Sequence, residues 1–256
     1  MNPQIIAISN HKGGVGKTTT TVNLGAGLAH LNKKILLIDL DPQANLTQSV
    51  GLANETENLY GCIKKMYKPN PIGFAARLWA IPGSIDLSGL EVEFNNEPGR
   101  EFVLKDLLTP LKESFDFILI DCPPNLGFLT LNAFCAADRV IIPLQAEFLA
   151  MHGLTRIIEI IGKVQSRINP NLQLEGIVIT QYNSRKILNK DIAATAEKHF
   201  GDKVFKQFIR ENIDLAEAPS RGQEIFRSSP GCNGAKDYYW LARELMRRLV
   251  PESGWY

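Results

Sequence analysis

Ten residues, Asn10-His11-Lys12-Gly13-Gly14-Val15-Gly16-Lys17-Thr18-Thr19, limit what this chain can fold into more than any other feature. They follow a short isoleucine-rich run at residues 4–9. They precede a helical pattern over residues 16–31, with Val22, Leu24, Ala26, Leu28 and Leu31 as its apolar members. Strand, glycine loop and helix in that order prescribe a local geometry. Glycines at 13, 14 and 16 let the backbone turn so that successive N–H groups face inward. That makes a nest for anions at the positive end of a helix, a cradle for phosphates. Lys17 is placed to reach the β- and γ-phosphates of a nucleotide, and the Thr18 hydroxyl to ligate Mg²⁺. The usual form of such a loop carries glycine where this chain has His11. His11 is read as a loop residue with no special role.

The rest of the sequence supplies a sheet for this unit. Residues 34–39 and 115–121 are apolar on consecutive positions and each ends in aspartate; residues 139–143 and 174–180 resemble them. Runs of this kind are strands buried on both faces. Helical patterns lie between, for example at residues 154–168 and 189–200. Alternation of β and α elements predicts a mostly parallel, twisted sheet with helices on both faces. The expected fold is therefore α/β, a single P-loop NTPase domain over residues 1–256. The least regular part, residues 51–99, is expected to be a surface elaboration carrying a short strand at Leu78–Ile81. The last helix, residues 235–250, places Tyr238, Leu241, Ala242, Leu245 and Leu249 on one stripe for docking on the sheet.

Composition removes several function classes. The chain has 256 residues, 45% hydrophobic and 21% charged, ordinary globular values that exclude collagen-like and disordered classes. Its longest apolar runs fall far short of the ~20 residues of a membrane span. No secretory signal pattern precedes the first strand, so a cytoplasmic location is expected. The four cysteines, Cys62, Cys122, Cys135 and Cys232, form no C-x-x-C pair. This argues against a metal-cluster carrier and for reduced, buried thiols. There is no G-x-S-x-G, hence no support for a serine hydrolase of that kind.

Three carboxylates fall at strand ends, where ligands bind in such sheets. Asp121 ends a buried strand and is placed to hold Mg²⁺, directly or through water. Asp41, two residues past its strand, is placed to orient an attacking water. Asp39 is expected to brace the loop by hydrogen bonds.

Together these segments resemble the ParA/Soj family, a group of deviant Walker A partition ATPases within the ParA/MinD superfamily. The resemblance rests on the Asn-His-Lys-Gly-Gly-Val-Gly-Lys-Thr-Thr loop, Leu-Ile-Asp-Leu-Asp-Pro-Gln-Ala-Asn, Ile-Leu-Ile-Asp-Cys-Pro-Pro-Asn-Leu-Gly and Leu215-Ala216-Glu217-Ala218-Pro219-Ser220. Residues 81–87 and 231–248 add to it, so it runs over nearly the whole chain. It implies an Mg²⁺-dependent ATPase, with ADP as product, whose two copies pair around ATP. It implies a nucleotide site of Lys12, Gly13, Gly14, Val15, Gly16, Lys17, Thr18 and Thr19, with Asn212 against the adenine. Lys12 is then the signature lysine that crosses to the partner's phosphates, and Asp41 the catalytic carboxylate. The implied setting is the cytoplasm and nucleoid, partitioning plasmid or chromosome DNA or positioning a protein cargo. Non-specific duplex DNA and a ParB-like or cargo-adaptor activator are the implied partners. The alternative, a MinD-like membrane-positioning ATPase, needs an amphipathic tail, and only six residues with one acid follow the last helical pattern.

Net charge is +1, but its distribution is uneven. Residues 86–116 hold eight acids and three bases, whereas residues 163–210 hold nine bases and four acids. A near-neutral chain can thus present a basic face. Arg185, Lys186, Lys206, Arg221, Arg227, Arg247 and Arg248 are the candidate DNA contacts. Relatives often read Ile-Pro-Arg-Asn-Val-Arg where this chain reads Ile209-Arg210-Glu211-Asn212-Ile213-Asp214. Two usually basic positions are acidic, which shifts or weakens that part of the face.

Overall fold

A computed structural model of the protein describes residues 3–147 and 150–249. Its strands are β1 (Gln4–Ile8), β2 (Ile35–Asp39), β3 (Ile72–Ala75), β4 (Leu78–Ile81), β5 (Phe117–Asp121), β6 (Arg139–Gln145) and β7 (Gln173–Thr180). The longer helices are α1 (Lys17–His30), α6 (Phe128–Ala136), α7 (Ala150–Arg167), α8 (Ile187–Phe200) and α11 (Asn233–Leu249). Shorter ones are α2 (Asn45–Ser49), α3 (Leu59–Ile63), α4 (Leu90–Glu93), α5 (Val103–Leu108), α9 (Ile213–Glu217) and α10 (Ile225–Ser228).

All seven strands join one sheet in the order β3-β4-β2-β5-β1-β6-β7, parallel except for the β3–β4 pair. Every residue of β2 and β5 is buried, as their unbroken apolar runs require. Alternate side chains of one strand serve opposite layers. Ile6 and Ile8 face a layer containing α1 and α11, while Ile5 and Ala7 face one containing α3, α5, α6 and α7. The domain is thus three-layered, with apolar cores on both faces of the sheet.

The expectation for residues 51–99 needs correcting. The stretch supplies β3 and β4, and β4 pairs in parallel with β2 inside the sheet. Leu59, Leu87 and Leu90 are wholly buried in the core. A surface elaboration would not bury them. These residues extend the sheet edge and close the layer beneath it. The last helix runs from Asn233 to Leu249, and the expected end at Val250 lies outside the described residues.

Because β1, β2, β5 and β7 run in parallel, their carboxyl ends emerge on one edge. Ile8, Asp39 and Asp121 lie level there, paired Ile8↔Asp121 and Asp39↔Asp121 across adjacent strands. The order also places β1 between β5 and β6, so strand order reverses beside the loop that follows β1. Sheets of this class bind ligands at that kind of crevice.

Candidate nucleotide site

The glycine loop leaves β1 and enters α1 at its N-cap, Gly16. Gly14 and Gly16 have φ of 75° and 86°, in the left-handed region where a Cβ is strained. Gly13 does not adopt positive φ, and a Cβ there would meet nothing within 4 Å. Two of the three glycines are therefore demanded by backbone conformation in this structure. Val15, between them, is buried.

Lys17 begins α1 and is only 8% exposed. Its Nζ donates to the Lys12 carbonyl at 3.0 Å, folding the side chain back across the loop. Burial pulls its pKa below the usual lysine value, against the opposing pull of Asp121 and Asp41. Next to it, Thr18 Oγ1 donates to Asp121 Oδ2 at 2.6 Å. Thr21, one turn on, reaches the other carboxylate oxygen at 3.3 Å. Asp121 is wholly buried, and burial followed by the charge of Asp39 pushes its pKa well above the ordinary range. A buried carboxylate disfavoured in its charged form is one that gains from a cation.

Asp39 behaves as expected from its place. It accepts from Thr47 N at 2.8 Å, Thr47 Oγ1 at 2.6 Å and Asp41 N at 3.3 Å, which ties the loop after β2 to α2. Burial raises its pKa to about 6. Asp41 lies further out, its carboxylate accepts from Gln43 N at 3.0 Å, and it lines the cleft beside the loop.

Two adjoining clefts meet at this edge. One, of about 620 Å³, is lined by Gly13, Gly14, Lys17, Thr18, Asp41 and Gln43, with Pro219 and Ser220 closing its side. The other, of about 480 Å³, is lined by Ile209, Asn212, Leu215, Ala216 and Tyr238. Gly16, Thr19 and Gln181 belong to both. A polar cleft over the loop joined to a more apolar one matches the phosphate and base ends of a nucleotide. Asn212 lines the second cleft, and its side-chain oxygen caps α9 by accepting from Leu215 N at 3.2 Å. A larger cleft of about 760 Å³, between residues 62–69 and 94–110, contains none of these elements.

Two loop residues make contacts within the chain that the sequence did not show. Lys12 forms an ion pair with Glu147 of its own chain, just beyond β6. The His11 ring lies against Gly153 of α7, leaving no room there for a Cβ. Burial, then the charges of Arg156, Lys17 and Lys12, lower its pKa below the usual histidine value. Thr180, Gln181 and Glu147 were not singled out by sequence; they meet the loop only because β6 and β7 end beside β1. Pro219 and Ser220 did carry a signal, the Leu-Ala-Glu-Ala-Pro-Ser segment.

The candidate DNA contacts fall into three local groups. Lys206, Arg247 and Arg248 line one cleft together with Glu197, Asp202 and Glu244. Arg248 is already engaged there, bonding Glu244 at 2.8 Å and lying 3.9 Å from the centre of the Phe205 ring. Arg221 and Arg227 lie at the α9–α10 turn, Arg221 paired with Glu217 at 3.4 Å and Arg227 bonded to Phe74 O. Arg185 and Lys186 precede α8, and Lys186 pairs with Glu211 at 3.3 Å. Glu211, one of the two unusual acids, thus neutralises a neighbouring lysine. Arg210 is likewise committed, in a forked contact with the buried Asp237.

A family model described as an AAA domain matches residues 3–174. The chain is 46% identical to the chromosome-partitioning ATPase Soj of Treponema pallidum, over 93% of this chain and 95% of that one. It is 41% identical to the sporulation initiation inhibitor protein Soj of Bacillus subtilis, over 94% and 98%. The chain belongs to the ParA/Soj family. Among solved structures, the cobyrinic acid a,c-diamide synthase of Mycobacterium smegmatis with a bound ATP analogue and magnesium superposes with a TM-score of 0.87. It is 33% identical and covers 97% of this chain and 96% of its own. Membership of the ParA/Soj family makes this protein a P-loop ATPase, in the fold expected from its sequence. Among the described residues no helix is long and apolar enough to cross a membrane.

Proposed function

We propose that this ParA/Soj-family protein is an Mg²⁺-dependent ATPase whose two copies pair around ATP. The paired form binds duplex DNA without sequence preference, and so partitions plasmid or chromosome DNA or positions a protein cargo. A ParB-like or cargo-adaptor protein triggers hydrolysis and release, in the cytoplasm and at the nucleoid. The partition role rests on the relatives named Soj. The ATP role rests foremost on one observation, the Thr18–Asp121 hydrogen bond of 2.6 Å at the mouth of the glycine nest.

That pair is where a magnesium ion fits. No cluster of three or more His, Cys, Asp or Glu side chains among the described residues could hold a metal by itself. Mg²⁺ needs no such cage, since it is commonly bound through one or two carboxylates plus substrate phosphates. Thr18 and Asp121 would hold it, and when bound it would draw charge from the β- and γ-phosphate oxygens. The chain's own residues do the remaining work. Backbone N–H groups of residues 13–18 bind and orient the phosphates. Lys17 swings from the Lys12 carbonyl to the phosphate oxygens. Asp41 accepts a hydrogen bond from the attacking water and aligns it. Lys12 leaves Glu147 and adds a cation to the partner's phosphates, as an arginine finger does. Its ion pair with Glu147 is partly exposed and costs only ~0–1 kcal/mol to break. Asn212 lies against the base.

Two variants test this assignment by calorimetry and phosphate release. Lys17→Ala is expected to lose ATP binding, since it removes the main cation facing the phosphates. Asp41→Ala is expected to bind ATP normally and to hydrolyse it at least 100-fold more slowly. Normal ATP affinity in the first, or parental turnover in the second, would contradict the roles of Lys17 and Asp41.

A further inference from the structure

A nest aims its N–H groups inward, so its carbonyls must turn outward and find partners of their own. Within the loop two are satisfied locally: Lys12 O by Lys17 Nζ and Gly16 O by Thr20 N. Two more, those of Val15 and Gly14, are taken by residues more than 160 positions away, at the end of β7. Thr180 Oγ1 donates to Val15 O at 2.8 Å, and Gln181 Nε2 donates to Gly14 O at 2.7 Å. In a trans peptide the C=O and N–H point in opposite directions. Holding Gly14 O outward therefore aims Val15 N–H inward, and holding Val15 O aims Gly16 N–H.

Gln181 is held in place at a conformational cost. Its φ is +51°, a left-handed conformation in which glycine or asparagine would be relaxed and glutamine is not. Strain of this kind persists where surrounding contacts over-determine it, and it concentrates at functional sites. The contact that does so here comes from β6: Gln145 Nε2 donates to Gln181 Oε1 at 2.8 Å. That bond fixes the Gln181 amide with its nitrogen toward Gly14. A relay thus runs from the end of β6 through Gln181 to the middle of the phosphate loop.

We propose that Gln181 is a positioning residue for ATP binding, which sets the direction of Val15 N–H by holding the Gly14 carbonyl, and that Gln145 holds Gln181 in turn. This rests on reading the loop as the ATP site. Gln145 lines neither cleft, so it can act on nucleotide only through this relay.

The test measures ATP affinity by calorimetry at fixed Mg²⁺, and thermal unfolding without nucleotide, for the parent, Gln181→Gly, Gln181→Asn and Gln145→Ala. Gln181→Gly removes the bond and also the strain. It is expected to weaken ATP binding ~3- to 10-fold while its melting temperature stays level or rises. Gln181→Asn keeps a residue tolerant of positive φ but one methylene too short to span, and should weaken ATP in the same way. Gln145→Ala should weaken it ~2- to 3-fold. A merely structural role would lower melting temperature and affinity together. If the parent binds ATP and Gln181→Gly binds it within twofold of the parent, the inference is wrong. If Gln181→Gly weakens binding but Gln145→Ala does not, Gln181 touches the nucleotide itself and the relay is likewise wrong. A parent that binds no ATP would instead overturn the reading of the loop.

Discussion

At the residue scale, three aspartates reach one edge of the sheet, and burial separates their behaviour. Asp41 is at the cleft wall, whereas Asp39 and Asp121 are wholly buried. Asp39 has a pKa of about 6 because desolvation outweighs the bonds from Thr47 and Asp41. An unfolded aspartate titrates near ~3.9. Between those values the folded protein binds more protons than the unfolded chain, so stability falls as pH rises from ~4 to ~6. Above that window the cost of the ionised group is fully present. Asp39→Asn cannot ionise and escapes this dependence. Relative to the parent, the variant is expected to gain ~2–3 kcal/mol of stability between pH 4 and pH 7. Urea unfolding at both pH values checks this. The charge of Asp39 also helps raise the Asp121 pKa, so Asp39→Asn relieves part of that rise as well, which adds to the gain in the same direction. Parallel pH profiles would show that Asp39 is not desolvated as described.

At the scale of elements, α1 carries the phosphate loop at one end and must be fixed along its length. Its partner is α11. Gly27 allows the close approach: a Cβ there would lie 2.9 Å from Tyr238 O and 3.0 Å from the Ala242 side chain. Thr20 Oγ1 and the Tyr238 hydroxyl, 3.1 Å apart, join the same pair of helices nearer the loop. Gly27→Ala gains helix propensity of up to ~1 kcal/mol, but overpacking costs ~1–3 kcal/mol. The expected net result is a melting temperature lower by a few degrees; an unchanged or higher value would mean the helices separate freely. The position of α11 was legible in the sequence because it buries one stripe and has a polar face, and that of α1 because it follows the glycine loop, although its residues 20–29 are buried on every side. The strands β2 and β5 were legible because Ile35–Asp39 and Phe117–Asp121 are buried on both sides. β3 was not, since Ile72, Gly73, Phe74 and Ala75 form a partly exposed edge strand with no apolar run. Nor was α6, whose Phe-Leu-Thr-Leu-Asn-Ala-Phe-Cys-Ala is buried almost all round and so shows no period. At the site, the loop and the strand-end aspartates are local patterns. Gln181, Glu147 and the packing of His11 on Gly153 depend on chain segments brought together only by the sheet order.

For the whole molecule, the question is how a chain of net charge +1 would bind DNA in the proposed role. Several of its cations are committed within the fold: Arg210 to Asp237, Arg248 to Glu244 and Lys186 to Glu211. Among the described residues, no ion pair engages Arg185, Lys206, Arg243 or Arg247. One copy therefore offers few phosphate contacts, which is weak binding at physiological salt. The proposed pairing of two copies around ATP would double the contacts, and since log K falls by about 0.9 per phosphate neutralised for each tenfold rise in salt, the pair should bind more tightly and be more salt-sensitive. The most direct measurement is a titration of random-sequence duplex DNA with Asp41→Ala protein in ATP, ADP or no nucleotide, at several salt concentrations. Tight, salt-sensitive binding in ATP alone, with little in the other two states, is the predicted result. Equal binding in all three states, or none in ATP at low salt, would contradict an ATP-gated DNA partition protein.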